Sequence, residues 1–200
     1  MTATITSNAV TLQGSAEIVA EFFEYSVNSI LYQRGVYPPE NFCRVQKYGL
    51  TMLVTDDNKL RDYLVGITGQ LRELLRKKLI QQLVLVIADV ETKEALERWE
   101  FKINVDEEMT ESSAPKTKEI KTIQAEIAAI IRQIVASVTF LPQLEGQLAF
   151  DLLVYTKKDA RVDDSLWGDS KPMLIEGGQV VKIKSFSTSV HSVDAAVVYR

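Results

Sequence analysis

Two hundred residues, 46% of them hydrophobic and 25% charged, suffice for one globular domain with a sizeable core. A net charge of −4 argues against the basic face that nucleic-acid binding requires, and no run approaches the roughly 18 apolar residues of a membrane span. The single cysteine, Cys43, rules out an internal disulfide, and the opening MTATITSNAV lacks the basic start and apolar core of a signal peptide, so cytosol or nucleus is expected.

The first helix is read from GSAEIVAEFFEYSVNSILYQRG, with Ser15 as N-cap and Glu17 suiting the positive end of the dipole. Val19, Phe23, Val27, Ile30 and Leu31 keep helical spacing, and Gly35 followed by YPPE stops the helix. Cys43 then falls in a turn. A second helix follows TDDN, where Asp56, Asp57 or Asn58 caps it. Its stripe is Leu60, Leu64, Ile67, Leu71 and Leu74 or Leu75, and Arg76, Lys77 and Lys78 close its last turn.

QLVLVIADV reads as a buried strand, joined by the hairpin-length ETKE to ERWEFKINV. There Trp99, Phe101, Ile103 and Val105 share one face, and Arg98, Glu100, Lys102 and Asn104 share the other, solvated one. After a polar loop, a third helix spans roughly 117–138, with Ile120, Ile123, Ile127, Ile130, Ile131 and Ile134 inward; FLPQLEG breaks it. QLAFDLLVYT is apolar on both parities, which predicts a central strand. In KSFSTSVHSVDAAVVYR, Phe186, Thr188 and Val190 alternate before the phase flips to Val193, Ala195, Val197 and Tyr199. One long extended segment whose buried face changes sides is expected. No strand–helix–strand alternation appears, so the fold class is α+β: an antiparallel sheet with three helices on one face.

Chemistry is sparse. His191 and Cys43 together cannot make a multi-ligand metal site. A Cys–His nucleophile pair is conceivable, but no helix N-terminus follows Cys43 to activate it, and His191 reads as a bulge-site or surface histidine. The acid pairs Asp56–Asp57, Glu107–Glu108 and Asp163–Asp164 sit in solvated loops, where carboxylates keep ordinary pKa values. GITGQ and EGGQ lack the context of a phosphate cradle. Asp151 reads as an edge or end position paired with a base. Trp167 stands in the polar stretch DDSLWGDSK, either as a local anchor or as a partner contact. No catalytic, metal or cofactor site is predicted, and a binding protein is expected rather than an enzyme.

The stretches GSAEIVAEFFEYSVNSILYQRGVYP, VQKYGLTMLVT, LERWEF, RQIVASVTFLPQLE, FDLLVYT and SFSTSVHSVDAAVVYR together resemble the HORMA-domain proteins of the spindle assembly checkpoint, from about residue 12 to the end. The resemblance implies a single HORMA domain over residues 1–200, with a mobile N-terminal segment at 1–13 and a C-terminal safety belt at 157–200. It implies an open and a closed fold, the belt wrapping a partner peptide that joins the sheet as a strand. Two guests compete for the site: the kinetochore scaffold Mad-one and the anaphase-promoting-complex activator Cdc-twenty, whose capture delays anaphase.

In residues, the resemblance assigns Phe150, Leu152, Tyr155 and Trp167 to peptide binding, with AFDLLVYT as the sheet edge beside the guest. It assigns Arg132 and Gln133 to a dimer surface, open–closed or closed–closed. Leu12, in an N-terminal edge strand AVTLQGS that closure displaces, joins Phe186, Val190 and His191 as switch residues. It further implies a BubR-type kinase or pseudokinase complex and an AAA+ remodelling ATPase with its own HORMA adaptor as partners, and neither nucleic acid nor membrane. Nucleus, cytoplasm, kinetochore, spindle region and interphase nuclear envelope are the implied locations. A HORMA adaptor of translesion repair or of the meiotic axis is the alternative.

Overall fold

Thr11, one turn before the expected cap, starts the first helix. In the computed structural model, which describes residues 9–158, 160 and 167–200, helix α1 runs Leu12–Gln33. The Thr11 hydroxyl accepts from the Gly14 amide at 3.0 Å, while Ser15 is fully buried and turns its hydroxyl away from the helix end. The expected edge strand AVTLQGS is therefore shorter. Only Ala9–Val10 (β1) is extended, and Leu12 is already helical and 3% exposed. Ala16, Val19, Ala20, Phe22, Phe23, Val27, Ile30 and Leu31 are all buried, so α1 is apolar around most of its girth and sits inside the molecule.

Phe42–Lys47 (β2) and Leu50–Thr55 (β3) make an antiparallel hairpin missed by the sequence reading, and Cys43 lies exposed on β2 rather than in a turn. Its two-residue loop puts Tyr48 at φ 54° and Gly49 at φ 69°, the conformation that lets strand twist continue through a tight turn. Helix α2 (Asn58–Arg76) begins as expected, Asp57 accepting from the Leu60 amide at 2.8 Å. Strands β4 (Ile80–Asp89) and β5 (Ala95–Val105) follow, then a two-residue strand β6 (Lys116–Thr117) that pairs with β1. Helix α3 (Ile120–Ala136) precedes β7 (Leu148–Thr156), β8 (Gln179–Ser187) and β9 (His191–Tyr199).

The main sheet is antiparallel throughout, in the order β7-β4-β5-β9-β8. Leu83, Leu85, Ile87, Trp99, Phe101, Ile103, Val193, Ala195 and Val197 point from it into the core that holds the three helices. Two expectations change here. Among the described residues β7 pairs only with β4 and is an edge strand; its second apolar parity is explained by Leu153, which packs with Val84 and Val86 on the opposite face, against Met173. The terminal segment is not one long strand but a hairpin. Its turn, Thr188–Val190, holds Ser189 at φ 72°. Phe186 lies opposite Val193, and cross-strand partners share a face, so the buried parity flips at the turn.

A buried ion pair ties helix to sheet. Arg34, just past the C-terminus of α1, donates through Nε to Glu97 at 2.8 Å and through Nη2 to the Pro142 carbonyl at 2.5 Å, and the Trp99 indole donates to Glu97 at 3.0 Å. Replacing Glu97 by Ala strands a buried cation and an indole N–H. We expect a loss of about 3–5 kcal/mol in unfolding free energy, read from urea titration; a loss under about 1 kcal/mol would show that the pair is solvated.

Candidate functional site

Along its outer edge β7 pairs with no strand among the described residues. Opposite that edge runs the strap Trp167–Pro172, and between them lies a cleft of about 690 Å³ lined by Leu152–Thr156 and Trp167–Pro172. An unpaired edge presents alternating N–H and C=O groups, which is the template for an added strand. Five residues of edge extend over about 17 Å, the reach of a five-residue guest segment.

Leu152 is 8% exposed and points to the helix side. Tyr155 points to the other side, where its hydroxyl accepts from Arg98 Nη2 at 2.9 Å. Trp167 packs against the main core while lining the cleft, and its indole N–H is buried with no acceptor among the described residues. Leu152, Tyr155 and Trp167 are thus brought together. Phe150 is not: it packs edge-on against Tyr37 and Tyr63, each at 6.1 Å between ring centroids, and does not line the cleft.

A second constellation fastens the terminal hairpin. Ser15 Oγ lies 2.5 Å from Thr188 Oγ1 and 2.6 Å from His191 Nδ1, and Thr188 Oγ1 accepts from the His191 amide at 2.9 Å. Phe186 and Val190 are buried beside this knot, and Phe186 sits 4.8 Å from Phe22 edge to face. His191, 1% exposed, is therefore neither a surface residue nor a bulge. Its ring meets a serine hydroxyl, not Cys43, which stays exposed on β2. Among the described residues no group of three or more His, Cys, Asp or Glu could hold a metal.

Comparison with known proteins decides the family. The HORMA-domain model matches residues 15–191. The chain belongs to the HORMA-domain family. Within it, the chain is 52% identical over 191 residues to the human mitotic spindle assembly checkpoint protein MAD2A, covering 96% of this chain and 93% of that protein. It is 47% identical to the Saccharomyces cerevisiae mitotic spindle checkpoint component MAD2, over 97% of this chain and 99% of that one. A chain of the crystal structure of the mitotic checkpoint complex superposes with a TM-score of 0.85 at 46% identity, over 94% of this chain and 99% of that one. The Caenorhabditis elegans HTP-2 structure bound to a HIM-3 closure motif, at 15% identity and a TM-score of 0.78, shares the fold.

On this HORMA scaffold, Arg132 is exposed on α3, and Val135, Val138 and Phe140 beyond it are exposed apolar residues. Gln133 instead turns to the sheet, its Oε1 accepting from the Lys184 amide at 2.7 Å. Asp151 is exposed on edge strand β7 and makes no ion pair among the described residues. Two site residues escaped the sequence reading. Ser15 passed for a cap, and Arg98 fell on the parity assigned to solvent though it is 4% exposed. The one local hint at the first is Thr11, itself a capping residue type, four positions before Ser15.

Burial lowers the His191 pKa from 6.5 to about 4; the Leu75 carbonyl opposes this and the Lys78 charge adds to it. Between those values the unfolded chain binds the proton that the folded one refuses. This arrangement therefore loses stability as pH falls from 6.5 towards 4. We predict about 2 kcal/mol less stability at about pH 5 than at about pH 7, beyond the change shown by His191→Gln, in paired urea titrations. Identical pH slopes for the two proteins would contradict a neutral buried ring.

Proposed function

We propose that this spindle-checkpoint HORMA protein captures an extended peptide as a strand added to the outer edge of β7 and holds it beneath the strap. The observation that carries the reading is the cleft itself, with main-chain groups of Leu152–Thr156 on one wall and Trp167–Pro172 on the other. Each main-chain hydrogen bond contributes only about 1 kcal/mol net. A strap lengthens the complex's lifetime because release then waits for local opening. The work is binding, not catalysis.

In this reading the chain is one HORMA domain whose moving parts are residues 1–13 and 157–200, of which 1–8, 159 and 161–166 lie outside the described residues, and the arrangement described is the closed one. The β8–β9 hairpin fills the β5 edge and leaves β7 free. In the open form the hairpin occupies the guest's edge instead. Phe186, Val190 and His191 then leave the knot at Ser15, and Leu12, already buried here, packs better still. The guests are a segment of the kinetochore scaffold Mad-one and one of the activator Cdc-twenty, which compete. Capture of the second restrains the anaphase-promoting complex, together with a BubR-type partner, and an AAA+ ATPase with its adaptor reopens the fold. Kinetochore and nucleus are the places of action. The human and yeast relatives' names and the checkpoint-complex chain support this reading. The repair alternative is not favoured, since a DNA polymerase zeta subunit 2 from Drosophila melanogaster is 29% identical over 72% of this chain.

Labelled Cdc-twenty and Mad-one peptides are expected to bind one per chain and to displace each other in fluorescence anisotropy. A chain ending before Val190, which lacks β9, is expected to bind neither. Simultaneous binding of both peptides, or undiminished binding by the shortened chain, would refute the reading.

Arg132, with the exposed apolar residues beyond it, forms the proposed dimer surface between an open and a closed copy. Arg132→Glu is expected to leave peptide binding intact and to convert dimer to monomer in size-exclusion chromatography at micromolar concentration. Persistence of the dimer would move the interface elsewhere.

A further inference from the structure

The strap needs something to hold it over the sheet, and the face opposite the helices supplies one charged group for the purpose. Alternation puts Arg98 on that face, with Glu100 and Lys102, where solvent is expected. Arg98 is nevertheless 4% exposed, while Lys102 two turns of the pleat away is exposed. The difference is what covers it. Arg98 pairs with Glu100 on its own strand. Across β4, its Nη2 donates to the Tyr155 hydroxyl of β7 at 2.9 Å, and its Cζ lies 5.6 Å over the Tyr155 ring. Its Nε donates to the carbonyl of Pro172 at 3.3 Å, and the Tyr155 hydroxyl lies 3.5 Å from the same oxygen.

One guanidinium therefore joins β5, β7 and the strap. Arginine suits this, since its planar fork of five N–H donors serves several acceptors at once and stays charged at every accessible pH. The next residue along the strap, Met173, stands at φ 46°, in the left-handed region that few non-glycine residues occupy. Its side chain packs against Val84, Val86 and Leu153. The other strap residues from Trp167 to Lys171 make no hydrogen bond to the sheet among the described residues. Trp167 packs against the main core at one end of the strap, and Arg98 and Met173 attach the other end to the sheet.

We infer that Arg98 is a positioning residue that buckles the strap to the sheet, so that the lifetime of a captured peptide is set at Arg98 rather than in the cleft. The inference rests on the capture reading for its consequence but not for its geometry. Arg98 touches no guest; it acts through Pro172 and Tyr155, at one end of the cleft that both line.

Arg98→Met keeps the length of the stem and removes the fork; Tyr155→Phe removes only the shared hydroxyl; Arg98→Lys keeps the charge with a single compact donor head. Chymotryptic cleavage of the guest-free proteins at Trp167 and Leu174 reads the strap alone, and stopped-flow release of a fluorescein-labelled Cdc-twenty peptide reads the lifetime. Arg98→Met is expected to speed cleavage at these two residues, with β4, β5 and β9 as resistant as in the unmodified chain. Peptide release is expected to be about tenfold faster, with association changed less than about threefold. Tyr155→Phe follows in the same direction with a smaller change, and Arg98→Lys falls between. Should Arg98→Met not fold, Tyr155→Phe decides alone. Unchanged strap cleavage, or a rise spread evenly over the sheet, overturns the buckle and leaves peptide capture standing. Failure of the unmodified chain to bind the peptide overturns capture, while strap cleavage still judges the buckle.

Discussion

A five-stranded sheet has two edges, and this chain has one terminal hairpin with which to cover them. That constraint organises the molecule. In the arrangement described, the hairpin adds β9 to β5 and leaves β8 as the new edge, which α3 partly protects through Gln133 and the Lys184 amide. The other edge, β7, pairs on its outer side with no strand among the described residues and faces a strap. Soluble proteins seldom leave such an edge without a device that restricts what pairs with it. Here the device is the strap, which narrows the approach to a cleft sized for one extended segment.

Moving the hairpin is costly, and the register shows why. β5 and β9 are matched continuously from Glu97–Tyr199 to Val105–His191. Val193, Ala195 and Val197 on β9 are inside the core, as is Phe186 on β8. The knot of Ser15, Thr188 and His191 adds a buried polar contact between the hairpin's turn and the first turns of α1. No part of this can slide, because a one-residue slip would turn the core side chains outward. Any departure of the hairpin from β5 therefore requires local unfolding of the whole hairpin, which places it among the slow, sub-global openings of a fold.

Much of the scaffold was legible because periodicity and burial agree. All three helices, a cap for α2 among Asp56, Asp57 and Asn58, and the inward face of β5 at Trp99, Phe101 and Ile103 follow from spacing alone. The departures share a cause: contacts from distant segments override the local pattern. β7 reads as central because Leu153 is apolar, but what covers Leu153 is Met173 from the strap, not another layer of sheet. The turn at Thr188–Val190 carries neither Gly nor Pro, and Ser189 adopts its left-handed conformation there without advertising it. Ser15 looks like a cap because nothing local reveals His191 beside it. Arg98 looks solvated because the strap returns to it only after more than seventy residues of chain. The candidate site was legible only through resemblance to other HORMA proteins, since an unpaired edge is a property of topology and leaves no motif.

A guest segment that becomes the next strand on β7 must pair with its outward main-chain groups. Amide-resolved hydrogen exchange, with and without a bound peptide, tests it most directly. The account predicts that alternate amides of Leu152–Thr156 become strongly protected when the peptide binds, and that those paired with β4 barely change. Tight peptide binding that leaves every β7 amide exchanging at its original rate would contradict it.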